Sequence, residues 1–417
     1  MCCSSPAAPH NTTNSFKIHF HLIFLRKVLP IIDLSTELEL PAARFLLTFA
    51  ALGSKIFKGL SRMNIENEIA KKFNFNSKVQ SVTSYGMGHI NSTFLVQTKG
   101  AGRYILQRVN GNVFKNPKQV MHNIIAVTEY LRPRMTEKMQ TLTLVPCQNG
   151  QLFFTAPNGE IWRAYRFVEN TVSLELPETE RDFFESAVAF GSFQKMLKDF
   201  PVEQLYETIE NFHNTPVRFK NFLAAVTANP LDRAKSAAPE IDFVKARADF
   251  CSTLEESHKA GLLPLKVTHN DTKLNNILLD AKTREPVCII DLDTIMPGYS
   301  VNDFGDSIRF GASTAAEDEK DLSKVHLSLK LFEVYARGFL KGCAGTLTPG
   351  EKALLPAGAK IMTLECGMRF LTDYLLGDTY FKTDYPEHNL VRCRTQFKLV
   401  EEMEKHWAQM QQIVAAL

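Results

Sequence analysis

Apolar and polar residues alternate with a period of two along Val79–Thr83, Thr93–Thr98 and Arg103–Val109, the pattern of half-buried strands. Three further alternating runs, Thr141–Pro146, Gln151–Thr155 and Glu160–Val168, are separated by Asn149-Gly150 and Asn158-Gly159. Asn-Gly between such runs signals a hairpin, because both residues tolerate the positive φ of a tight turn. Between the two groups, Asn116–Arg134 shifts to helical spacing, with Val120, Ile124, Val127 and Leu131 on one face. An antiparallel sheet with one inserted helix is therefore expected first.

Helical periodicity dominates the remainder. Glu180–Leu197 places Phe183, Phe184, Ala187, Phe190, Phe193 and Leu197 on a buried face, and these aromatics read as core. Further helices are expected near 222–229 and 240–261, then over Leu322–Leu340, Leu354–Leu376 and Asn389–Ala416. One stretch interrupts them. In Val267–Asp293, two short apolar runs flank a polar turn around Lys282–Pro286, which predicts two strands joined as a hairpin. The fold class is thus α+β with two lobes, an N-terminal sheet lobe over 63–168 and a mainly helical lobe over 169–417.

Composition adds limits. At 417 residues the chain is long for one core, which supports two lobes. Hydrophobic content of 45% and charged content of 22% are those of a globular protein, and a net charge of +3 gives no reason to expect nucleic acid. The positive excess lies in residues 1–62, which carry seven Lys/Arg against three Asp/Glu. Their apolar runs, Phe16–Ile32 and Pro41–Phe57, are broken by Lys17, Arg26, Lys27, Pro30, Arg44 and Lys55. Neither matches a spanning helix of roughly 18 or more apolar residues, so no membrane association is expected. The order of segments also suits a signal peptide poorly. Residues 1–62 read as an extension from a misplaced start codon or a poorly ordered tail, with a basic targeting segment as the alternative. Met63 opens an amphipathic helix. Eight scattered cysteines without CxxC spacing suit reduced thiols and a cytoplasmic setting.

The candidate chemistry sits in the interrupting hairpin. Asp271 precedes Asn276 by five residues, and a hairpin would bring Asn276 and Asp291 to one end. Mg²⁺ prefers hard oxygen ligands, few of them from protein when phosphates supply others. Asn276 and Asp291 suit that role, leaving Asp271 to orient and deprotonate a hydroxyl and Lys273 to reach a transferred phosphate. Upstream, Gly86-Met-Gly-His-Ile-Asn-Ser-Thr lies between two strands, where Gly86 and Gly88 would let backbone approach a phosphate. Arg103–Val109 lacks a lysine, so Arg108 is the candidate phosphate cation, although strand parity could point Gln107 inward instead. On the helix, Glu129 is the only central acid, and His122 stands where a partner acid would be sought. Residues 166–170, with Phe167 and Glu169, could read an adenine edge by their backbone. A polar rim is expected from His213, Asn214 or Arg218 and from 378–388. Asp303 is expected to brace the catalytic loop through backbone hydrogen bonds; Arg309 could touch substrate or neutralise Asp306.

These residues carry a resemblance. From Met63 onward the chain resembles the aminoglycoside phosphotransferase/choline kinase superfamily, and within it the bacterial N-acetylhexosamine 1-kinases. The motifs are Trp162-Arg-Ala-Tyr-Arg-Phe-Val-Glu169, Ile209-Glu-Asn-Phe-His-Asn-Thr215, His269-Asn-Asp-Thr-Lys-Leu-Asn-Asn276, Ile290-Asp-Leu-Asp-Thr-Ile-Met-Pro297, Asp303-Phe-Gly-Asp-Ser-Ile-Arg-Phe-Gly-Ala312, Arg369-Phe-Leu-Thr-Asp-Tyr374 and His388-Asn-Leu-Val-Arg-Cys-Arg394. The resemblance implies a bilobal protein-kinase-like fold and transfer of phosphate from ATP, with Mg²⁺, to the anomeric hydroxyl of GlcNAc or GalNAc. It implies Asp271 as base, Asn276 and Asp291 on the metal, and Gly86–Ser92, including Asn91 and Ser92, over the phosphates. Candidate sugar contacts are Thr272, His213, Asn214, Arg309, Arg369 and Tyr374. A monomer or weak homodimer is expected. The missing strand lysine and His122 depart from the pattern. Competing readings are another small hydroxyl acceptor (an aminoglycoside, choline or homoserine), a protein kinase, which the absence of an Ala-Pro-Glu segment disfavours, and a nucleotide-binding pseudokinase.

Overall fold

The computed structural model describes residues 65–86, 90–100 and 102–417. The expectations for residues 1–62 and for Gly88 therefore lie outside the described residues.

Alternation builds the sheet as expected. Strands β1 (Val79–Ser84), β2 (Ser92–Thr98), β3 (Arg103–Arg108), β4 (Phe154–Thr155) and β5 (Ile161–Arg166) form one antiparallel sheet in the order β1-β2-β3-β5-β4. Gly150 and Gly159 take φ of 82° and 85° in their turns, whereas Asn149 and Asn158 before them do not take positive φ. Thr141–Pro146 does not become a full strand. It makes a single bridge, Leu144 to Tyr165, beside β5. One face of the sheet buries Val96, Tyr104, Leu106, Trp162 and Ala164 against Ile69, Ala70 and Phe73.

Helix α1 (Pro117–Leu131) enters between β3 and β4 and buries Val120, Ile124, Val127 and Leu131 in the largest core cluster. The same core takes the apolar face of α2 (Glu180–Met196), which opens on a capping box between Thr179 and Asp182. Two glycines let α2 lie against α5 (Leu329–Cys343), because a Cβ at Gly191 would collide with the Phe339 carbonyl and one at Gly342 with that of Val188. A second core joins α3 (Thr215–Ala228), α6 (Leu355–Leu376) and α7 (His388–Lys405). Helix α4 (Ser300–Gly311) runs through the centre, almost wholly buried. The long helix expected over 240–261 is broken into Ala238–Lys245 and Thr253–Lys259 by a 3₁₀ turn at Asp249–Ser252.

Short strands β6 (Thr171–Val172), β7 (Lys266–Thr268), β8 (Ile277–Asp280), β9 (Pro286–Ile289) and β10 (Met296–Gly298) form two small sheets among the helices, β6-β8-β9 and β10-β7. Their apolar residues Ile277, Leu279, Cys288 and Ile289 are buried. This anchored hairpin is what positions the polar residues beside it. Among the described residues no helix is long and apolar enough to cross a membrane.

Candidate active site

The antiparallel pairing of β8 with β9 brings Asn276 and Asp291 to the same end, where Ile290 N donates to Asn276 O at 2.9 Å. Asp271 joins them. Its Oδ1 lies 3.0 Å from Lys273 Nζ, and Asn276 Nδ2 donates to its backbone oxygen (2.8 Å) and Oδ2 (3.0 Å). Burial opposes the ionised form of Asp271, but Lys273, His269 and Asn276 outweigh it and hold the carboxyl below its usual value. Lys273 is in turn raised, chiefly by Asp271. The pair is an ionised carboxylate beside an ammonium at any physiological pH.

The loop carrying Asp271 is pinned by α4. Asp303 accepts from His269 N (Oδ2, 3.0 Å), Asn270 N (Oδ1, 2.8 Å) and Gln194 Nε2 (2.8 Å), the brace expected of it. One turn later Asp306 accepts from Thr272 N at 3.0 Å, while Arg309 donates to it at 3.1 and 2.9 Å and to Glu317 at 2.8 Å. Arg309 therefore neutralises Asp306, and its guanidinium is fully engaged. Thr272 is buried, its hydroxyl donating to Asp303 O at 2.5 Å. Both are buried, with their polar atoms engaged in these bonds.

Asp291 and Asp293 take opposite environments. Asp291 adopts a left-handed backbone (φ 57°, ψ 56°) and is exposed, whereas Leu292 and Asp293 are buried. The surrounding protein and the nearby charges of Asp293 and Asp271 push the Asp291 carboxyl up to about 7. Asp293 pairs with Arg163 at 2.5 Å and accepts from Asn91 Nδ2 at 2.6 Å. Arg163 was not among the residues singled out, yet period two already places it opposite Gln107 on one face. Its Nε and Nη2 donate to Gln107 Oε1 at 3.0 and 2.9 Å. Arg108 lies on the other face, bonded to Glu160 (2.8 Å) and Ser92 (3.1 Å). Strand parity thus turns Gln107, not Arg108, toward Asp293.

Other expected residues divide. Gly86 has φ 76° with open space around it. Phe167 and Glu169 are both held by Arg103, through its guanidinium 4.1 Å over the Phe167 ring and an ion pair to Glu169. Glu129 is exposed, and His122 contacts the Gln204 carbonyl at 3.1 Å, so neither pairs with a strand cation. Instead Asn123 ties α1 to the Asp293 segment, donating to Ile295 O at 2.9 Å.

On the side away from the sheet, His213 lies between Glu365 Oε1 (2.9 Å) and Asn270 O (3.2 Å), next to Asp271. Thr215 donates to Glu365 Oε2 at 2.7 Å. Burial opposes the charge of Glu365, but His213, Arg369 and Thr215 hold it below its usual value. Arg369 lies 5.4 Å from the Phe212 ring, 5.8 Å from Tyr380 and 5.5 Å from Phe381, without an acid partner among the described residues. Arg218 is close enough that Arg369 adds to burial in lowering it. Asn214 caps α3, accepting from Val217 N at 3.2 Å. Tyr374, expected among the sugar contacts, is buried in the second core, its ring 4.6 Å from the Arg233 guanidinium. Glu365 went unnoticed, though it stands four residues before Arg369 on one helix face.

The residues present suit a magnesium–nucleotide. With its amide nitrogen engaged, Asn276 keeps Oδ1 for a cation, and Asp291 offers a carboxylate that neighbouring acids make costly to ionise without one. Among the described residues no group of three or more His, Cys, Asp or Glu could by itself hold a metal ion.

An antiparallel sheet followed by a helical region, with an Asp-loop and a metal-type hairpin between them, defines a kinase-like phosphotransferase fold. Residues 81–331, more than half of the chain, match the phosphotransferase enzyme family known as APH, and the chain belongs to that family. The fold is similar to an aminoglycoside phosphotransferase of Alicyclobacillus acidocaldarius (TM-score 0.58, 12% identity, covering 84% of this chain and 96% of that one). It is similar to an amicoumacin kinase solved with AMP-PNP, Ca²⁺ and its antibiotic (TM-score 0.54, 14% identity, 82% and 95%). It is also similar to a choline kinase of Cryptosporidium parvum (TM-score 0.51, 14% identity, 85% and 98%).

Proposed function

We propose that this chain is an ATP- and Mg²⁺-dependent small-molecule kinase that phosphorylates the anomeric hydroxyl of N-acetylhexosamines, GlcNAc or GalNAc. The observation that carries the phosphotransfer part is the convergence of Asp271, Lys273, Asn276 and Asp291 at one end of the β8–β9 hairpin. In this reading 63–168 is the nucleotide lobe and 169–417 the acceptor lobe.

Phosphoryl transfer asks a protein for alignment and charge neutralisation more than for covalent chemistry. Mg²⁺, when bound, would neutralise the oxygens of the transferring phosphate; Asn276 Oδ1 and Asp291 would hold it. Asp271 accepts the hydrogen bond of the acceptor hydroxyl and then its proton. Because Lys273 and Asn276 keep Asp271 ionised, it is ready as an acceptor without first losing a proton of its own. Lys273 Nζ adds positive charge beside the carboxylate, where the transferred group passes. An anomeric hydroxyl is more acidic than an ordinary alcohol, so this weak base suffices. Gly86 and the backbone of 166–170 are assigned to the nucleotide.

The acceptor side favours a neutral sugar over an amino alcohol. Both oxygens of Glu365 are taken by His213 and Thr215, and Arg218 and Arg369 add positive charge nearby. A cationic acceptor such as choline or an aminoglycoside would want unpaired carboxylates or an aromatic cage free of guanidinium. His213 and Arg369 are instead suited to hydroxyl and acetamido oxygens.

An ADP-release assay over GlcNAc, GalNAc, free hexoses, choline, homoserine and an aminoglycoside tests the reading. The N-acetylhexosamines should give the highest kcat/KM, and their methyl glycosides, with the anomeric oxygen blocked, should give none. A higher kcat/KM for choline or the aminoglycoside, or equal turnover of the methyl glycosides, would overturn the acceptor assignment.

A further inference from the structure

One ion pair inside the sheet region has no evident stabilising purpose. Arg163 and Asp293 are 1% and 3% exposed and pair at 2.5 Å. Burying two charges costs about what their attraction returns, so such a pair adds little net stability over apolar residues of the same size. Its surroundings are organised all the same. Arg163 is seated on Gln107 Oε1 (3.0 and 2.9 Å), and Gln107 Nε2 donates to Thr93 Oγ1 at 3.0 Å, so one row across β5, β3 and β2 fixes the guanidinium. Asn91, at the end of the glycine segment, donates to the second Asp293 oxygen at 2.6 Å and accepts from Asn110 N at 3.0 Å. Two residues away, Asp291 is exposed.

The chain therefore holds two carboxylates where an anionic triphosphate and a divalent ion are to meet, and only one of them faces outward. Left unpaired, the second would repel the phosphates and draw the metal away from Asp291. On β3, Gln107 carries no charge and Arg108 faces Glu160, so neither answers that carboxylate. Arg163 does.

We propose that Arg163 is the positioning cation of the nucleotide site: by pairing with Asp293 it removes that carboxylate from the metal's reach and ties the Asp291 segment to strands β2, β3 and β5. This rests on the kinase reading above. Charge is then the property that matters, and it is required for the magnesium–nucleotide rather than for the nucleoside.

Equilibrium binding of Mg-ADP and of adenosine to the full chain tests it, with R163K, R163Q and R163Q/D293N beside the wild type. R163Q should bind Mg-ADP at least about tenfold more weakly with adenosine affinity unchanged, because it strands the Asp293 charge. R163K keeps the charge but loses the fork that Gln107 Oε1 seats, so it should bind Mg-ADP more tightly than R163Q and more weakly than wild type. R163Q/D293N, which removes the stranded carboxylate, should recover most of the loss. Mg-ADP affinity unaltered in R163Q, a double variant no better than R163Q, or adenosine affinity falling in step with Mg-ADP would each overturn the proposal; the last also covers misfolding. A wild-type chain that does not bind Mg-ADP at all would instead overturn the kinase reading on which it rests.

Discussion

In the proposed kinase reading the Asp271 loop and the Arg369 surroundings serve one site, yet they are built in opposite ways. The loop draws on neighbours in sequence, with Asp271, Lys273 and Asn276 inside six residues and one helix, α4, supplying both braces through Asp303 and Asp306. The Arg369 side draws on distant segments, His213 and Arg218 from the start of α3, Glu365 and Arg369 from α6, and Tyr380 and Phe381 beyond it. The first is dense with hydrogen bonds from both backbone and side chains. The second leaves Arg369 among aromatic rings, with no acid in ion-pair contact among the described residues. A site part so densely bonded can keep one geometry through many acceptors, whereas a cation without an ion-pair partner among the described residues can be matched to a particular one. The loop should therefore control turnover and the Arg369 side should control choice.

The largest effect follows from that division. Asp271→Asn should lower kcat by ~10²–10⁴-fold, the usual contribution of a general base, for every acceptor alike. The fold should survive, since Asn still accepts from Asn276 and loses only the ion pair to Lys273. Steady-state kinetics with two acceptors decide it. Near-normal kcat would remove Asp271 from the chemistry.

Next in size is Asp303. Its two oxygens accept from His269 N, Asn270 N and Gln194, and it is fully buried. An Asn there has one oxygen for two N–H groups and turns a donor toward the other. Asp303→Asn should cost about 2–4 kcal/mol of unfolding free energy, read by denaturant titration, and lower kcat with little change in acceptor preference. A change in preference instead would show that the loop, too, carries selectivity.

Asp303 also shows how much the sequence could tell. The hairpin, its Asn276–Asp291 convergence and the brace all follow from short spacings and from the need of buried backbone N–H groups for partners. The sheet follows from period two and Asn-Gly turns. What spacing could not give is the identity of partners across the fold. Period two puts Arg163 beside Gln107, but nothing local says that Asp293, 130 positions on, completes the pair. Tyr374 likewise enters as a sugar contact only through the resemblance, and the packing of α6 against α3 and α7 places it in the core.

The metal side offers a pH signature of about tenfold per unit. With the Asp291 carboxyl at about 7 in the metal-free chain, protons compete with Mg²⁺ below that pH and not above it. The Mg²⁺ activation constant should fall as pH rises toward 7 and level off beyond. In the metal-free chain the same raised value makes ionised Asp291 a burden on the folded state, absent below the unfolded value near 3.9 and complete above pH 7. Asp291→Asn should therefore raise Tm at about pH 8 and leave it unaltered at about pH 4, while losing the response to Mg²⁺. A flat Mg²⁺ constant across pH 6 to 8 would place the metal elsewhere.

On the acceptor side, Arg369→Ala should raise KM for the preferred acceptor by about tenfold or more, as loss of a hydrogen bond to a charged group does, and leave KM for ATP unchanged. Turnover of a saturating acceptor should persist. Equal loss for all acceptors, or a kcat effect alone, would erase the distinction between the two regions.

The smallest effect is the sharpest check on strand parity. Arg108 is about one-third exposed, paired with Glu160 on the face of Ser92 and Trp162, and points away from Asp293. Partly exposed pairs of this kind are worth about 0–1 kcal/mol. Arg108→Ala should accordingly move KM for ATP by less than about threefold and leave acceptor kinetics untouched. Gln107→Ala, on the opposite face, should cost more, because it unseats Arg163. If Arg108→Ala proved the more damaging of the two, the phosphates would lie on the Trp162 face, and the placement of the nucleotide against Arg163 and Asp293 would have to be reversed.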